Sequence, residues 1–237
     1  MERIDKIIST ELNIARTGAR ELIKSGKVFL NGVPVKSASL KINEESDILN
    51  IGGKEIRFRK YVYIMMNKPE GVISSTDGRK TAEKTVIDIL PDEMKRKNLF
   101  PAGRLDKNTT GFVLITDDGN FAHRILSPKR HIPKTYIAGL DKPFDNIVLK
   151  AFQSGMTIGS DVCMPAVLEA VNGDFKTARV VIKQGMYHQI KRMFKSFGIE
   201  VLSLKRIKMG KLCLDEALAP GACRFIDKKE LEMILSE

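Results

Sequence analysis

Residues that could do chemistry are concentrated in the segment Pro101–Gly111. Arg104 and Asp106 lie two positions apart, so an extended backbone would point both side chains to the same side. The apolar run Phe112–Ile115 follows directly and predicts a strand that anchors the segment. An Asp on a loop held by a rigid strand is a candidate nucleophile or general base. The same residues also fit an ordinary surface Asp–Arg pair, and the segment alone leaves both interpretations open.

The other residues of this segment suit a loop that meets a ligand closely. Gly103 and Gly111 bracket the segment and allow the backbone to approach a bound molecule. Thr109 and Thr110 supply hydroxyl groups that can fix the turn or orient Asp106 by hydrogen bonds. One short stretch of chain therefore carries a carboxylate, a guanidinium and two hydroxyls.

Three further blocks accompany this segment in a recognisable order, namely Asn67–Val72, Lys134–Tyr136 and Tyr187–Phe194. Together with Pro101–Gly111 they closely resemble the motifs of pseudouridine synthases, and specifically the RsuA-type branch (RsuA/RluB) that modifies ribosomal RNA. The resemblance runs from about Tyr61 to near the C-terminus. Four ordered blocks indicate the family much more strongly than one block would.

The resemblance implies a role for five residues. Asp106 matches the essential catalytic Asp, and Lys191 matches the cation beside it, a position at which many relatives have Arg. Arg104 matches the residue that helps to hold RNA with the target nucleotide flipped out. Tyr136 matches the Tyr that packs against uracil and assists a late proton transfer, and Ile207 is the candidate for the apolar residue that closes the pocket. Each also has a plain structural interpretation, as a strand aromatic, a solvated lysine or a core residue.

Conversion of uridine to pseudouridine breaks the glycosidic C–N bond, rotates the uracil and forms a C–C bond at the same sugar carbon. No group enters or leaves, so we expect no nucleotide, redox or metal cofactor. The target nucleotide has to leave its stack to reach a pocket. A cation near Asp106 would favour its ionised form. Asp106 could attack the sugar carbon or the uracil ring, or act through abstraction of a sugar proton, and the sequence leaves these routes open.

The charge balance points to a polyanionic partner. The formal net charge is +11 over 237 residues, which predicts attraction to nucleic acid, with an anionic membrane surface as the rival. No apolar run approaches the ~20 residues of a membrane-spanning helix, and no signal-peptide pattern follows Met1. Cys163, Cys213 and Cys223 are widely spaced, so we expect free thiols in a reducing cytoplasm.

The N-terminal part predicts a compact module of two helices and a hairpin. Isoleucines at helical spacing mark a first helix from Ile4, and a second helix is predicted to begin near Arg16–Thr17 with Thr17 as its cap. Gly26 is expected to end the second helix. Strands are predicted on either side of Asn31–Gly32, a strong hairpin signal.

The second helix carries a basic edge formed by Arg16, Arg20 and Lys24, which Lys27 extends towards the hairpin. Such an edge is commonly a solvated face. The module nevertheless resembles the small RNA-binding module named after a small-subunit ribosomal protein, and that resemblance implies that these four residues contact RNA phosphates. Ala15 departs from the Ser common at the equivalent position, which implies a weaker helix cap.

A second hairpin around Gly52–Gly53 and a basic linker Arg57–Lys60 place the domain boundary near residue 60. We therefore expect a small RNA-binding domain and linker at 1–60 and a catalytic domain at 61–237.

There is no regular strand–helix alternation and no glycine-rich phosphate loop. The fold class is predicted as α+β, with an αα-β N-terminal domain followed by a larger domain built on an antiparallel or mixed bent sheet with flanking helices. Predicted strands of that domain are Tyr61–Met66, Phe112–Thr116, Tyr136–Ala138, Ala178–Ile182 and Lys211–Leu214. Predicted helices are Phe121–Leu126, Gln189–Phe194 and Lys228–Leu235.

The sequence leaves several functional alternatives. Pro165–Glu169 and Tyr187–Gln189 look more like the enzymes of the small ribosomal subunit, so a 16S rRNA target is preferred over a large-subunit one. A non-catalytic ribosome-assembly factor would be expected to lose Asp106 or Tyr136, and this chain keeps both. A metal-dependent hydrolase lacks support, because the three histidines are scattered. Asp117–Gly119 is interpreted as a turn after a strand rather than a calcium loop. A monomer acting on ribosomal RNA or a partly assembled subunit is expected.

Overall fold

The computed structural model describes residues 1–43, 47–56, 58–77, 82–127, 130, 132–171 and 173–236. These residues form two compact units. One contains Met1–Val62 together with Pro91–Leu99, and the other contains Tyr63–Leu90 and Phe100–Glu237. Among the described residues no helix is both long and apolar enough to cross a membrane.

The N-terminal unit has two helices and two small sheets. Its helices are α1 (Ile4–Glu11) and α2 (Arg16–Lys24). Its strands are β1 (Glu2–Arg3), β2 (Val28–Leu30), β3 (Val33–Pro34), β4 (Lys41–Ile42), β5 (Leu49–Ile51) and β6 (Lys54–Ile56). In the described part of this unit β1 pairs with β4, and a second sheet has the order β3-β2-β5-β6 with antiparallel neighbours. One face of each helix packs with the sheet into a core that includes Ile4, Ile8, Val28 and Leu49.

Two turns of this unit are as the sequence predicts. Asn31 and Gly32 both have positive φ, 51° and 79°, the conformation of a two-residue hairpin turn, and Leu30 pairs with Val33 across it. Gly52 and Gly53 turn β5 into β6 in the same way. Glycine or Asn at these positions adopts the left-handed region at low cost.

The cap of α2 differs from the prediction. The helix begins at Arg16, its N-cap is Ala15, and no side chain caps it. Thr17 lies inside the first turn, because the extended backbone of Ala15 (φ −67°, ψ 153°) already marks the boundary. Gly26, with φ 72°, follows the end of the helix as expected.

The segment Pro91–Leu99 completes the N-terminal unit although it lies about 30 residues after the rest of that unit. It contains a 3-10 turn at Asp92–Met94. The Arg96 guanidinium donates to the Glu11 carboxylate at 2.9 Å and to the Arg59 carbonyl at 3.0 Å. Sequence reasoning placed this segment elsewhere, because the contacts that hold it are distant along the chain. Arg57, part of the predicted linker, lies outside the described residues.

The larger unit is built on one mixed sheet. Its strands are β7 (Tyr63–Lys68), β8 (Phe100–Pro101), β9 (Thr109–Thr116), β10 (Lys134–Leu140), β11 (Met156–Ile158), β12 (Asp161–Cys163), β13 (Val167–Ala170), β14 (Thr177–Ile182), β15 (Val201–Met209), β16 (Leu212–Cys213) and β17 (Cys223–Phe225). Its helices are α3 (Gly119–Leu126), α4 (Asn146–Ser154), α5 (Gln189–Lys195) and α6 (Lys228–Leu235). Over the described residues the main path of the sheet is β13-β14-β10-β15-β9-β7-β17. Outside this path β8 pairs with β9 and β16 pairs with β15, and β11 and β12 form a separate two-stranded sheet. The predicted α+β class with a mixed sheet is confirmed.

The pairing of β15 with β9 is parallel, whereas the neighbouring pairs along the main path are antiparallel. Gly111 makes this parallel pairing possible. Its φ is 96°, and a Cβ atom built on it would lie 2.2 Å from the Arg206 carbonyl oxygen, so a side chain here would push the two strands apart. Phe112, Val113, Leu114 and Ile115 are buried on both faces of β9, which makes this strand a rigid support for the loop before it.

Local signals set the helix ends in this unit. The Asp118 side chain caps α3 by accepting from the Phe121 amide at 3.0 Å, and it also accepts from the Tyr63 hydroxyl at 2.6 Å. The predicted turn at Asp117–Gly119 is present, and it also caps α3, which the sequence did not predict. A capping box of Asp227 and Glu230 begins α6. Cys163, Cys213 and Cys223 are thiols rather than members of disulfides.

Candidate active site

The loop that carries Asp106 is fixed by bonds to its own backbone. The Ser74 hydroxyl accepts from the Leu105 amide at 3.0 Å and donates to the Leu105 carbonyl at 3.1 Å. The Thr109 amide donates to the Asp106 carbonyl at 3.0 Å and closes the turn. The Gly71 amide donates to the Lys107 carbonyl at 3.0 Å. The loop after β7 therefore holds both sides of Asp106 in place.

Lys68 lies at the centre of this arrangement. Its side chain is completely buried at the end of β7, and its ammonium group donates to the carbonyl oxygens of Pro69, Lys107 and Thr109 at 2.9, 3.1 and 2.9 Å. Burial lowers the pKa of Lys68 to about 8, while the negative charges of Asp106 and Glu70 oppose that change. Lys68 thus joins the two loops of the site with one charged group. Lys68 belongs to the motif Asn67–Val72, but the motif alone indicates no role for it.

Two cationic or ionisable groups approach the Asp106 carboxylate. Lys191 Nζ lies 3.6 Å from Asp106 Oδ2, and His188 Nε2 lies 3.4 Å from Asp106 Oδ1. The Thr109 hydroxyl is 3.4 Å from Oδ2. Lys191 is on α5, so the predicted cation is brought to the predicted Asp. The Asp106 side chain retains 29% of its exposure, so it remains accessible to a substrate.

His188 is a further residue of this site to which the sequence motifs assigned no role. It precedes α5 with a left-handed backbone (φ 48°, ψ 32°), a conformation that costs a non-glycine residue energy and is often retained at functional sites. Its ring stacks on the exposed ring of Tyr187, with centroids 3.9 Å apart. The available signal was its place in the Tyr187–Phe194 block, immediately before α5 and three residues before Lys191.

The carboxylate of Asp106 faces a small chamber of about 70 Å³. The chamber is lined by the predicted residues Arg104, Asp106, Tyr136 and Lys191, together with His188, Leu204 and residues of the loop that precedes α5. Tyr136 is buried on β10, whereas Arg104 is exposed at the mouth. Four of the five residues predicted for this site therefore converge on one space.

Ile207 is the exception. It is half-buried on β15 and does not line the chamber among the described residues, whereas Leu204 on the same strand does. The register explains the difference. Tyr136 pairs with Arg206 and Thr135 pairs with Lys208, so Ile207 is the extra residue of a β-bulge. The position of a bulge is set by strand pairing and is not readable from a single strand.

The predicted RNA-binding residues Arg16, Arg20, Lys24 and Lys27 are all exposed in the N-terminal unit. Arg20 Nε donates to the Asp5 carboxylate at 3.3 Å, and Arg3 donates to the same carboxylate at 3.1 and 3.0 Å. Asp5 is buried, and the guanidinium of Arg3, then that of Arg20, holds its pKa below the usual value. Arg3 is thus an additional member of the basic surface that the sequence pattern did not include.

Comparison with known proteins agrees with this geometry. The family model for RNA pseudouridylate synthase matches residues 62–196, and the S4 domain model matches residues 2–48. The chain belongs to the RNA pseudouridine synthase family. The resemblance stated from its motifs is confirmed, as is the resemblance of the N-terminal module to an RNA-binding domain of ribosomal-protein type. All four motif blocks of this synthase fall inside the matched range.

The similarity to curated relatives extends over nearly the whole synthase. The Bacillus subtilis protein named uncharacterized RNA pseudouridine synthase YtzG is 38% identical over 235 residues, which cover 98% of each chain. The Escherichia coli K12 protein named ribosomal small subunit pseudouridine synthase A is 37% identical over 235 residues, covering 98% of this chain and 100% of that protein. A solved structure described as a pseudouridylate synthase superposes with a TM-score of 0.68 at 35% identity, over 99% of this chain and 100% of the other.

Proposed function

We propose that this enzyme isomerises one uridine of small-subunit ribosomal RNA to pseudouridine, with Asp106 as the catalytic carboxylate. The observation that carries the proposal is the convergence of Asp106, Lys191, Tyr136 and Arg104 on one chamber. Family membership supplies the reaction, and the geometry supports the assignment of the carboxylate, because the Asp106 loop is clamped by Ser74 and Lys68 while its carboxylate stays accessible.

The chamber residues divide the work of the reaction. Lys191 places a positive charge 3.6 Å from the Asp106 carboxylate and forms an ion pair with it. Tyr136 packs against the extruded uracil, and Arg104 at the mouth holds the RNA with the target nucleotide flipped. Leu204 takes the closing role first assigned to Ile207. The isomerisation transfers no group between molecules, so Asp106 needs no cofactor to complete it.

The choice of ribosomal subunit rests on the relatives. Those of Escherichia coli and Vibrio vulnificus are named ribosomal small subunit pseudouridine synthase A, and each alignment covers 98% of this chain. The motif Tyr187–Gln189 pointed to the same subunit. A uridine of 16S rRNA, in free RNA or in a partly assembled particle, is therefore the proposed substrate, and the cytoplasm is the proposed location.

The N-terminal domain, residues 1–60, is proposed to bind RNA through Arg16, Arg20, Lys24 and Lys27. The catalytic domain is proposed to be residues 61–237, apart from Pro91–Leu99, which pack with the N-terminal unit. Contacts from such residues go to phosphates, so they orient the RNA and add affinity rather than select a sequence. The enzyme is proposed to act as a monomer.

The test is carbodiimide labelling followed by primer extension. Unmodified RNA of each ribosomal subunit, and partly assembled particles, are incubated with the protein or with Asp106→Asn. We expect one new stop in small-subunit RNA with the unaltered protein. Asp106→Asn keeps the shape of the side chain and should lower the single-turnover rate at least about a thousandfold while RNA affinity is retained.

Other results would change the proposal at defined points. A stop in large-subunit RNA would mean that the substrate is large-subunit RNA. Equal turnover by Asp106→Asn and the unaltered protein would mean that Asp106 is not the catalytic residue. No stop in either RNA despite tight, salt-sensitive binding would favour a non-catalytic ribosome-assembly factor.

A further inference from the structure

A groove opens beside the Asp106 chamber and is much larger than the chamber. Its volume is about 880 Å³, compared with about 70 Å³ for the chamber. His188, Lys191 and Leu204 line both spaces, so the groove continues directly into the chamber. Binding sites for small organic ligands measure about 300–1,000 Å³. The groove has room for a nucleotide in addition to the flipped uridine.

The wall formed by β15 and the residues before it contributes several apolar side chains to the groove, among them Ile199 and Leu202. Ile199 is buried, but Leu202 is 67% exposed although it lies on a central strand of the main sheet. An isolated exposed leucine needs no explanation on an ordinary surface. Leu202, however, lines a groove that leads to the catalytic carboxylate. Its side chain offers an apolar surface to the flat face of a base, which every base presents regardless of sequence.

The groove lining carries both signs of charge. Lys191 and Lys195 lie one turn apart on α5 and both line it. Lys195 is exposed, so its ammonium group is accessible to a phosphate. The lining also contains carboxylates: the Asp141 carboxylate accepts from the Glu200 amide at 2.7 Å, and both residues line the groove. Carboxylates repel phosphate but accept hydrogen bonds from the amino groups of bases.

We propose that this groove binds the nucleotide next to the target uridine. Its phosphate lies at Lys195, its base packs on Leu202, and the base edge points towards Asp141 and Glu200. This inference rests on the proposed function and deepens it. It means that the enzyme reads the neighbour of the uridine as well as the uridine, and that it favours a neighbour base with an exocyclic amino group.

The experiment compares groove variants with matched variants on α4. Leu202→Asp is paired with Ile147→Asp, because Ile147 is 68% exposed on α4 and lies outside the groove lining. Lys195→Gln is paired with Lys150→Gln, an exposed lysine of the same helix α4. All four changes are made in the full-length protein at exposed positions, and thermal unfolding verifies that each variant is folded.

The probe is a short RNA that contains the mapped target uridine, with 2-aminopurine placed on either side of it in turn. We expect a fluorescence change at one neighbour with the unaltered protein, a roughly tenfold weaker affinity with Leu202→Asp, and no such loss with Ile147→Asp. Lys195→Gln should reduce the slope of log affinity against log salt by about 0.7, and Lys150→Gln should leave it unchanged. Replacing the natural neighbour by uridine should lower the modification rate of the unaltered protein.

Failure of this inference and failure of the proposed function give different results. If the unaltered protein forms pseudouridine but each groove variant behaves like its α4 partner, the groove does not bind the neighbour nucleotide. If the unaltered protein forms no pseudouridine in any ribosomal RNA, the proposed function itself is wrong.

Discussion

At the scale of single residues, the position of Asp106 depends on Lys68, whose side chain is completely buried. The Lys68 ammonium group donates to carbonyl oxygens of two loops. One acceptor is Pro69, and the other two, Lys107 and Thr109, follow Asp106 in its loop. A neutral apolar side chain could fill the same volume but could not join these carbonyls. Burial of a charged amine costs free energy, and this cost lowers the pKa of Lys68 to about 8. Lys68 is buried nevertheless, which indicates that holding the two loops together offsets the cost.

Lys68→Met should therefore lower kcat with little effect on RNA affinity. We expect a fall of roughly 10–100-fold, because small misplacements of a catalytic group are sufficient for losses of this size. Single-turnover kinetics and a binding titration measure the two effects separately. The control is Lys107→Met, which removes an exposed lysine of the same loop that pairs with Glu83 at 2.5 Å. Equal kcat for Lys68→Met and Lys107→Met would show that the three carbonyl bonds do not position Asp106.

At the scale of elements, α2 presents its basic edge because Asp5 of α1 holds part of it. Asp5 is buried and binds the guanidinium groups of Arg3 and Arg20. The Asp5 carboxylate therefore links α1 to α2 and fixes the position of the Arg20 guanidinium. Arg16 and Lys24 lie at either end of α2 and are both exposed. Within the basic edge, Arg20 is held by Asp5, whereas Arg16 and Lys24 are available to phosphate groups.

Arg16→Gln and Lys24→Gln should each weaken RNA binding and reduce its salt dependence. We expect the slope of log affinity against log salt to fall by about 0.7–0.9 for each change, because one phosphate contact is lost. Lys54→Gln is the control, since Lys54 is an exposed lysine on β6 of the same unit. Binding isotherms at several salt concentrations give the slopes. Equal slopes for all three variants and the unaltered protein would mean that this edge is only a solvated face.

The elements that the sequence predicted well are those specified by local signals. The turns at Asn31–Gly32 and Gly52–Gly53 need left-handed backbone, which only a few residues adopt readily. Helix Lys228–Leu235 matches its predicted range because a capping box fixes its start. Four motif residues of the chamber were also predictable, since family resemblance carries their order along the chain.

The features that sequence reasoning missed depend on contacts between distant segments. Leu204 lines the chamber, whereas Ile207 is the extra residue of a β-bulge that is set by the pairing of β15 with β10. The segment Pro91–Leu99 belongs to the N-terminal unit through Arg96 and Glu11, which are 85 residues apart. The role of Lys68 emerges only when the loops after β7 and before β9 are brought together. None of these pairings leaves a periodic pattern in the sequence.

At the scale of the whole molecule, the strongly basic composition extends into the interior. Lys134 and Arg206 are both buried in the catalytic unit. Lys134 donates to the Ile132 carbonyl at 3.0 Å, and Arg206 Nε donates to the Phe112 carbonyl at 2.7 Å. Burial, and then the nearby positive charge of Arg206, lowers the pKa of Lys134 from its ordinary value of 10.5 to about 8. Lys134 thus links the free energy of unfolding to pH.

The sign of that linkage follows from proton binding. Between pH of about 8 and 10.5 the unfolded chain keeps the Lys134 proton while the folded chain has lost it. The free energy of unfolding therefore rises with pH in this window, and the full cost of burying the charged amine is present below it. The change in pKa corresponds to roughly 3 kcal/mol at most. Lys134→Met removes this contribution at every pH and keeps an unbranched side chain in the same space.

We therefore expect the stability of the unaltered protein relative to Lys134→Met to improve as the pH rises from 7 to about 10.5, by up to roughly 3 kcal/mol. Urea titrations followed by circular dichroism at several pH values measure the difference. Lys68 and all other ionisable groups are common to both proteins, so their contributions cancel in the comparison. Lys150→Met, which replaces an exposed lysine on α4, should show no pH-dependent difference. A constant difference between Lys134→Met and the unaltered protein across this range would mean that Lys134 keeps its proton in the folded chain, and that the interior tolerates two adjacent positive charges.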